Sequence, residues 1–439
     1  MSLLTALSSG TTGLQASALE LSVVGDNIAN AGTIGFKGAR ATFEDALTQS
    51  VIGGTGEIGL GARLQSVQKI LTQGALTSTG IATDLALQGN GFFIVNGNHN
   101  GQTANFYTRA GQFTVDRDGY MVNIEGLRVQ GFPADAAGVI SGLPGDLLIG
   151  TASATPRATN SITIKANLQA DAPILGLGIP SDGLFHATDP GLTSNFSTSL
   201  TLYDAMGAAH QTQVFFHKNA ANTWDWHAMT DGRGLTSGTP GVLQEIASGT
   251  LTFDGQGRLT GSTMDTGAGA PVFDPIAPGG TQTLTFNFGD PVPGGGTGLA
   301  GITQFASASA STFIGQDGFG SGQLASIRID TLGNINGIFT NGQSRTLGQV
   351  AVAGFSAPDR LESIGGNLYA QSQASGQPVV GAPGAGGRAS VISGSLEQSN
   401  VDLAEQFVRL ISAQRTFEAN SKSITTADQL LDQLINLKR

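Results

Sequence analysis

The chain contains no cysteine, which excludes disulfide staples, thiolate metal ligands and cysteine nucleophiles together. Charge is scarce too. Charged residues make up 12% of the chain, about half the ~25% of an ordinary soluble domain. What charge there is leans acidic: 21 Lys and Arg face 32 Asp and Glu, a net of −11. No basic face is available to neutralise a phosphate backbone, so nucleic acid is not expected as a partner. Nor does any run reach the ~18 apolar residues of a membrane-spanning helix, so membrane insertion is not expected either. The first basic residue is Lys37, and no basic-then-apolar leader precedes it. The expectation is a protein that stays inside the cell or is exported without a cleaved signal peptide.

Proline is missing from both ends, the first being Pro133 and the last Pro383. Nothing therefore breaks a helix at either end, and both ends carry an apolar residue at every seventh position. Leu7, Leu14, Leu21 and Ile28 form one stripe; Leu403, Leu410, Phe417, Ile424 and Leu431 form the other, with Phe407 and Leu434 as further packing residues. A strict seven-residue period marks a seam against other helices. Asn30 and Gly32 suit the end of the first helix, and Ser399 with Asp402 reads as a capping box opening the second. That second helix, over about 399–437, would measure ~58 Å, more than a compact domain covers. An antiparallel pair clasping the chain's own ends would satisfy the stripes. Packing against other copies would satisfy them as well, and is the expected arrangement.

Glycine, at 65 of 439 residues, is about twice its usual ~7%, and the middle of the chain is accordingly rich in turns. Short alternating runs at 113–115, 199–203, 213–216, 281–288 and 326–329 read as half-buried strands. Asp-x-x-Gly recurs at Asp116, Asp204, Asp254 and Asp330. An Asp that accepts bonds within a tight turn, followed by a Gly free to take positive φ, predicts four β-hairpins. Stretches rich in Gly, Pro and Ala at 133–158, 265–280 and 289–300 read as crossings or long surface loops, and 373–387 as a flexible connector.

The expected fold is a mainly β body of two β-rich domains, one inserted in the other, with long N- and C-terminal α-helices forming a coiled-coil core domain. Its expected divisions are 1–32 with 397–439 for the helical core, 33–75 with 362–396 for a connector, 76–144 with 289–361 for the first β domain, and 145–288 for the inserted outer domain.

Candidate chemistry fails on context. Gly54 to Gly59 spells Gly-x-Gly-x-x-Gly, but the residues after Gly59 suit extended structure and turns rather than the helix a pyrophosphate needs. His99, His186, His210, His217 and His227 are scattered without the i, i+4 spacing of a helical zinc site; His217 and His227 beside Phe216 and Trp226 suggest packing. Asp116 and Asp118 could open a calcium loop, but its later ligands are missing. The pairs Glu44 with Asp45 and Asp402 with Glu405 fall in segments expected to be helical and solvated. No Gly-x-Ser-x-Gly elbow occurs. No catalytic, cofactor-binding or metal-ligating residue is expected, and the chain does not read as an enzyme.

At the ends, Asn27-Ile28-Ala29-Asn30 with Gly35-Phe36-Lys37, and Ser399-Asn400-Val401-Asp402 with Ala413-Gln414-Arg415, Asn420-Ser421-Lys422, Thr426-Ala427-Asp428 and 434–437, resemble the bacterial flagellar rod and hook axial proteins. The run 87–95 and Tyr107-Thr108-Arg109-Ala110-Gly111 match that family's first β domain; 43–47 and the insert 197–216 with Trp224 resemble its hook branch. Asp26 stands where many relatives carry Asn, and the loops 133–195 and 260–322 match nothing nameable. The resemblance implies a homopolymer: a curved, hollow helical tube, outside the cell in the bacterial flagellum, that transmits torque as a universal joint. Its terminal helices would order on assembly, with Asn27, Asn30 and Phe36 among the packing residues. Implied partners are the distal rod protein, the hook cap and hook–filament junction proteins, and the export apparatus. A rod or junction component, a β-rich adhesin and an enzyme are the competing readings.

Overall fold

The computed structural model describes residues 3–46, 49–50, 57–58, 61–177, 182–266, 271–276 and 280–437. The Gly54 to Gly59 motif lies largely outside them, as do the side chains of Leu431 and Leu434. Chain contacts divide the molecule into two compact units, 1–152 with 324–338 and 344–439, and 153–323 with 339–343. Among the described residues no helix is long and apolar enough to cross a membrane.

The first unit begins and ends in helices. The N-terminal helix, Leu3–Ala29, closes in a turn where Asn30 N–H donates to Asp26 O at 3.1 Å. The C-terminal helix, Leu403–Leu437, has 35 residues and a length of ~52 Å. Its cap is Asp402 rather than Ser399: Asp402 Oδ1 accepts from Ala404 N at 2.8 Å and Glu405 N at 3.3 Å. The helix therefore starts three residues later than the Ser399 reading placed it, because Asp402 and Glu405 themselves form the Asp-x-x-Glu pattern.

Between the helices the chain is extended. Ala39–Asp45 pairs antiparallel with Ala62–Lys69, so Glu44 and Asp45 lie on a strand, not in the expected helix. The alternation of Ala39, Ala41 and Phe43 with Arg40, Thr42 and Glu44 outweighs helix propensity once a partner strand is present. Leu76–Ser78 pairs with Ser395–Glu397, and Leu85–Gln88 with Ser390–Ser393. Thus the segments just inside both helices are stitched together before the sheet begins. That sheet runs through Ser344–Val350, Arg128–Pro133, Phe92–His99, Gln102–Thr108, Leu368–Ala370 and Glu362–Gly365. Phe92, Ile94, Tyr107, Ala351, Ala353 and Tyr369 form a core beneath it. The stretch expected as a flexible connector contains a strand, Val379–Gly381, paired with Val352–Gly354, and Arg388 Nε closes the following turn on Ala382 O at 3.1 Å. Low complexity hid it because glycine supplies the turns while Val379 and Val380 supply the pairing.

The second unit joins two sheets over one core. Phe196–Tyr203, Ala209–Ala220, Thr223–Asp231, Leu243–Phe253 and Leu259–Ser262 form an antiparallel meander in that order. Opposite it, Ser161–Gln169 is flanked by parallel Thr285–Asn287 and Thr303–Phe305 and by antiparallel Ala310–Gln316. Ile162, Ile164, Ala166 and Leu168 face inward at strand period and meet Trp224, Trp226, Phe216 and Phe288. Both indole N–H groups are satisfied, Trp224 by Gln304 Oε1 and Trp226 by Thr263 O. The second compact unit thus covers 153–323 with 339–343, beside the 145–288 expected for the inserted domain.

The Asp-x-x-Gly segments at Asp116, Asp204, Asp254 and Asp330 adopt one turn. In each, Asp Oδ1 accepts from the backbone N–H groups two and four residues on, and the Gly N–H donates to the Asp carbonyl. Each of these glycines has φ between 76° and 89°. Asp135 with Gly138 is a fifth instance, and Asn123 with Gly126 repeats the design with an amide.

Candidate assembly surface

The two helices lie antiparallel. Asn27 near the end of the first meets Gln406 near the start of the second, Nδ2 to Oε1 at 3.0 Å. At the far end Gly10 lies against Ile424 and Gly13 against Asn420. Glycine makes this approach possible, since a Cβ on Gly13 would stand 2.7 Å from Asn420 Nδ2.

The centre of the seam is not the leucine stripe. Gly10, Ser17 and Val24 are buried, each three residues after Leu7, Leu14 and Leu21; Gln406, Ala413 and Ala427 are buried, each three after Leu403, Leu410 and Ile424. In heptad terms, one core position holds small or polar residues with Val24, and the larger apolar stripes occupy the other. The stripes consequently flank the contact: Leu7, Leu14, Leu21, Ile28, Leu410, Phe417 and Ile424 are half-buried. Leu403 and Phe407, at 45% and 49% exposure, and Ile411, at 49%, recur every four residues on one exposed face. A single chain thus forms the helix pair and leaves a run of large apolar side chains uncovered beside it.

The pair is anchored by amides. Asn27 exchanges bonds with both backbone groups of Ala39, Nδ2 to O at 2.7 Å and N to Oδ1 at 2.8 Å. Asn400 accepts from Gly38 N at 2.8 Å and donates to Ile70 O at 2.7 Å and Thr72 O at 3.1 Å. Asn30 instead turns back to Asp26, 3.0 Å away, and finishes the helix. Phe36 is buried, with Lys69 Nζ 5.2 Å from its ring centre.

Behind these lies a buried ionic cluster. Glu397 accepts from Lys37 Nζ at 2.6 Å, Arg109 at 3.2 Å and Gly74 N at 2.9 Å. Lys37 also donates to Thr72 O at 2.7 Å. Side chains of Lys37 and Glu397 are wholly buried and Arg109 nearly so. Burial holds the Lys37 ammonium and the Arg109 guanidinium below their ordinary ranges, against the pull of Glu397. Glu397 was invisible in sequence: a lone Glu before a helix carries no motif, and its two cations lie 360 and 288 positions away.

His217 and His227 have polar partners as well as packing, Thr193 O at 2.7 Å and Glu245; Phe185 stacks on His227 at 3.9 Å.

The chain is thus a β body with paired N- and C-terminal helices and an apolar flank left uncovered. Four family models match in chain order: the flagella basal body rod protein over 7–37, the flagellar hook protein FlgE/F/G D1 domain over 86–184, the flagellar basal body protein FlaE D2 domain over 167–319, and the flagellar basal body rod FlgEFG protein C-terminal over 392–437. The flagellar hook protein FlgE of Borreliella burgdorferi is 35% identical, covering 98% of this chain and 99% of its own. That of Salmonella typhimurium is 32% identical over 98% and 99%. The Helicobacter pylori flagellar hook protein FlgE2 structure covers 73% of this chain and all of its own at 16% identity and a TM-score of 0.48. The chain belongs to the flagellar hook protein family.

Proposed function

We propose that this chain is the structural subunit of a bacterial flagellar hook, polymerising into a curved, hollow helical tube through its terminal helices. The observation that carries the reading is the uncovered apolar flank of the helix pair. The stripes Leu7 to Ile28 and Leu403 to Leu431, with Phe407 and Leu434, supply knobs for neighbouring copies around a coiled-coil core. A repeated head-to-tail contact whose rotation does not close generates a helical tube rather than a ring. Torque passes along this core while the sparsely charged β bodies of adjacent copies slip past one another, which makes the curved tube a universal joint. The distal rod protein, the cap and junction proteins at its ends, and export through the flagellar apparatus complete the reading, with the tube outside the cell.

The test is electron microscopy of the purified full chain under polymerising conditions, beside a version lacking 1–30 and 400–439. Tubes from the first and monomers from the second are expected. A full-length chain that remains a compact monomer with protease-resistant ends would overturn the assembly reading.

A further inference from the structure

Beside the ionic cluster lies a cavity of about 580 Å³. Phe92 and Phe355 form its aromatic wall, Ser356 adds a hydroxyl, Arg109 and Arg388 bring guanidinium groups, and Val379, 61% exposed, marks its rim. Among the described residues no Asp or Glu lines it.

The charge count around this cavity is unbalanced. Lys37 and Arg109 share the single carboxylate of Glu397, so the buried cluster carries a surplus positive charge. Tyr369 cannot answer it, because burial pushes its phenol up to about 12 and keeps it neutral. Arg109 Nε is buried and has no hydrogen-bond partner among the described residues. Arg388 gives its Nε to Ala382 O and makes no ion pair among the described residues. An uncompensated charge in a protein interior is strongly unfavourable, and here it adjoins a cavity whose further cation is also unpaired. In a chain of net charge −11, this is a concentrated positive site with space beside it.

We propose that the cavity receives a carboxylate from an acidic surface segment of a second copy of this chain, seated between Arg109 and Arg388 and against Phe92 and Phe355. Two guanidinium groups suit a carboxylate through charge-assisted, directional bonds. Charge complementarity selects the occupant: the chain contains 32 Asp and Glu against 21 Lys and Arg, and in a polymer the neighbour at every contact is another copy. The inference rests on the assembly reading and adds to it a lateral contact away from the helices.

The experiment uses the full chain, with the photo-reactive residue benzoylphenylalanine replacing exposed Val379. Irradiated filaments should yield a crosslinked dimer whose second peptide contains Asp or Glu; irradiated monomers should yield none. Arg388→Glu should raise the critical concentration for polymerisation at least about tenfold. Val379→Trp, which obstructs the rim without touching charge, should do the same while the thermal unfolding of the monomer stays unchanged. Filaments without the crosslink, a crosslink to a peptide lacking carboxylates, or normal polymerisation of both variants would overturn the contact and leave the assembly reading intact. Sodium glutarate binding to the monomer without a crosslink in filaments would identify a small-anion site and also overturn it. Failure of the unaltered chain to form tubes would remove the assembly reading, and the contact with it.

Discussion

Substituting Glu397 should destabilise the first unit far more than substituting either of its cationic partners. Glu397→Gln keeps the shape and leaves Lys37 and Arg109 buried together without a counter-charge. Breaking a buried pair from one side costs about 3–5 kcal/mol, or a fall of roughly 6–15 °C in a unit of this size at about 2–3 °C per kcal/mol. Lys37→Met has the opposite electrostatic effect, since Glu397 and Arg109 then remain as a balanced pair. The Thr72 carbonyl that Lys37 abandons is still met by Asn400 Nδ2. Its cost should be about 1–2 kcal/mol, that of a lost hydrogen bond. The molecule contains its own control. Both tryptophans, Trp224 and Trp226, sit in the core of the second unit, so their fluorescence reports that unit, while the far-ultraviolet helical signal reports the first. Glu397→Gln should lower the helical transition and leave the fluorescence transition in place. A Lys37→Met variant as damaging as Glu397→Gln would refute the charge count.

Leu410→Asp or Phe417→Asp should abolish tubes in electron micrographs while the monomer's thermal transition moves little, because both positions are only half-buried in the single chain and the charge meets desolvation chiefly on assembly. Gly13→Leu should separate the helices, lowering the helical transition and polymerisation together, since even a Cβ there meets Asn420. Asp402→Ala removes a helix cap and should cost about 1 kcal/mol by chemical denaturation. Acid should weaken the second unit through its turns. Backbone N–H bonds from Arg258 and from Arg233 lead the causes that hold Asp254 and Asp231 below the ordinary 3.8. Their contribution is complete above that value and is lost as pH falls through the lower folded-state range. The fluorescence melting temperature should fall on acidification below about pH 4, and Asp231→Asn with Asp254→Asn should flatten that slope.

Local rules were readable wherever a single turn or period decides the outcome. The Asp-x-x-Gly hairpins needed four consecutive residues, and the helical ends needed only their spacing and the absence of proline. Pairing between distant segments was not readable. Nothing local says that 285–287 and 303–305 add to 161–169, and a Gly-rich stretch concealed the strand at Val379. Arg109 stood in a quoted motif and Lys37 in another, but only the fold brings them to Glu397. The candidate surface was half legible: the stripes identify the helices' apolar positions, not which of the two heptad core positions the chain uses for itself.

That division explains why the stripes are so regular. Were Leu7, Leu14 and Leu21 the centre of the intrachain contact, opposing Leu410 and Phe417 would fill it, and a single chain would bury its own apolar surface and have none left for assembly. Placing Gly10, Ser17, Val24, Gln406 and Ala413 at the centre lets the helices approach closely through small side chains and one amide pair. Helix pairing within a chain is therefore kept weak in apolar burial, and the larger side chains stand at its edge, where a neighbouring copy can cover them. The strength of the pair then comes from its base, where Asn27, Asn400 and Glu397 bind both helices to the strands. Tied to the strands at its base and uncovered along its flank, the pair would, in the proposed tube, direct the next copy while depending on it for burial.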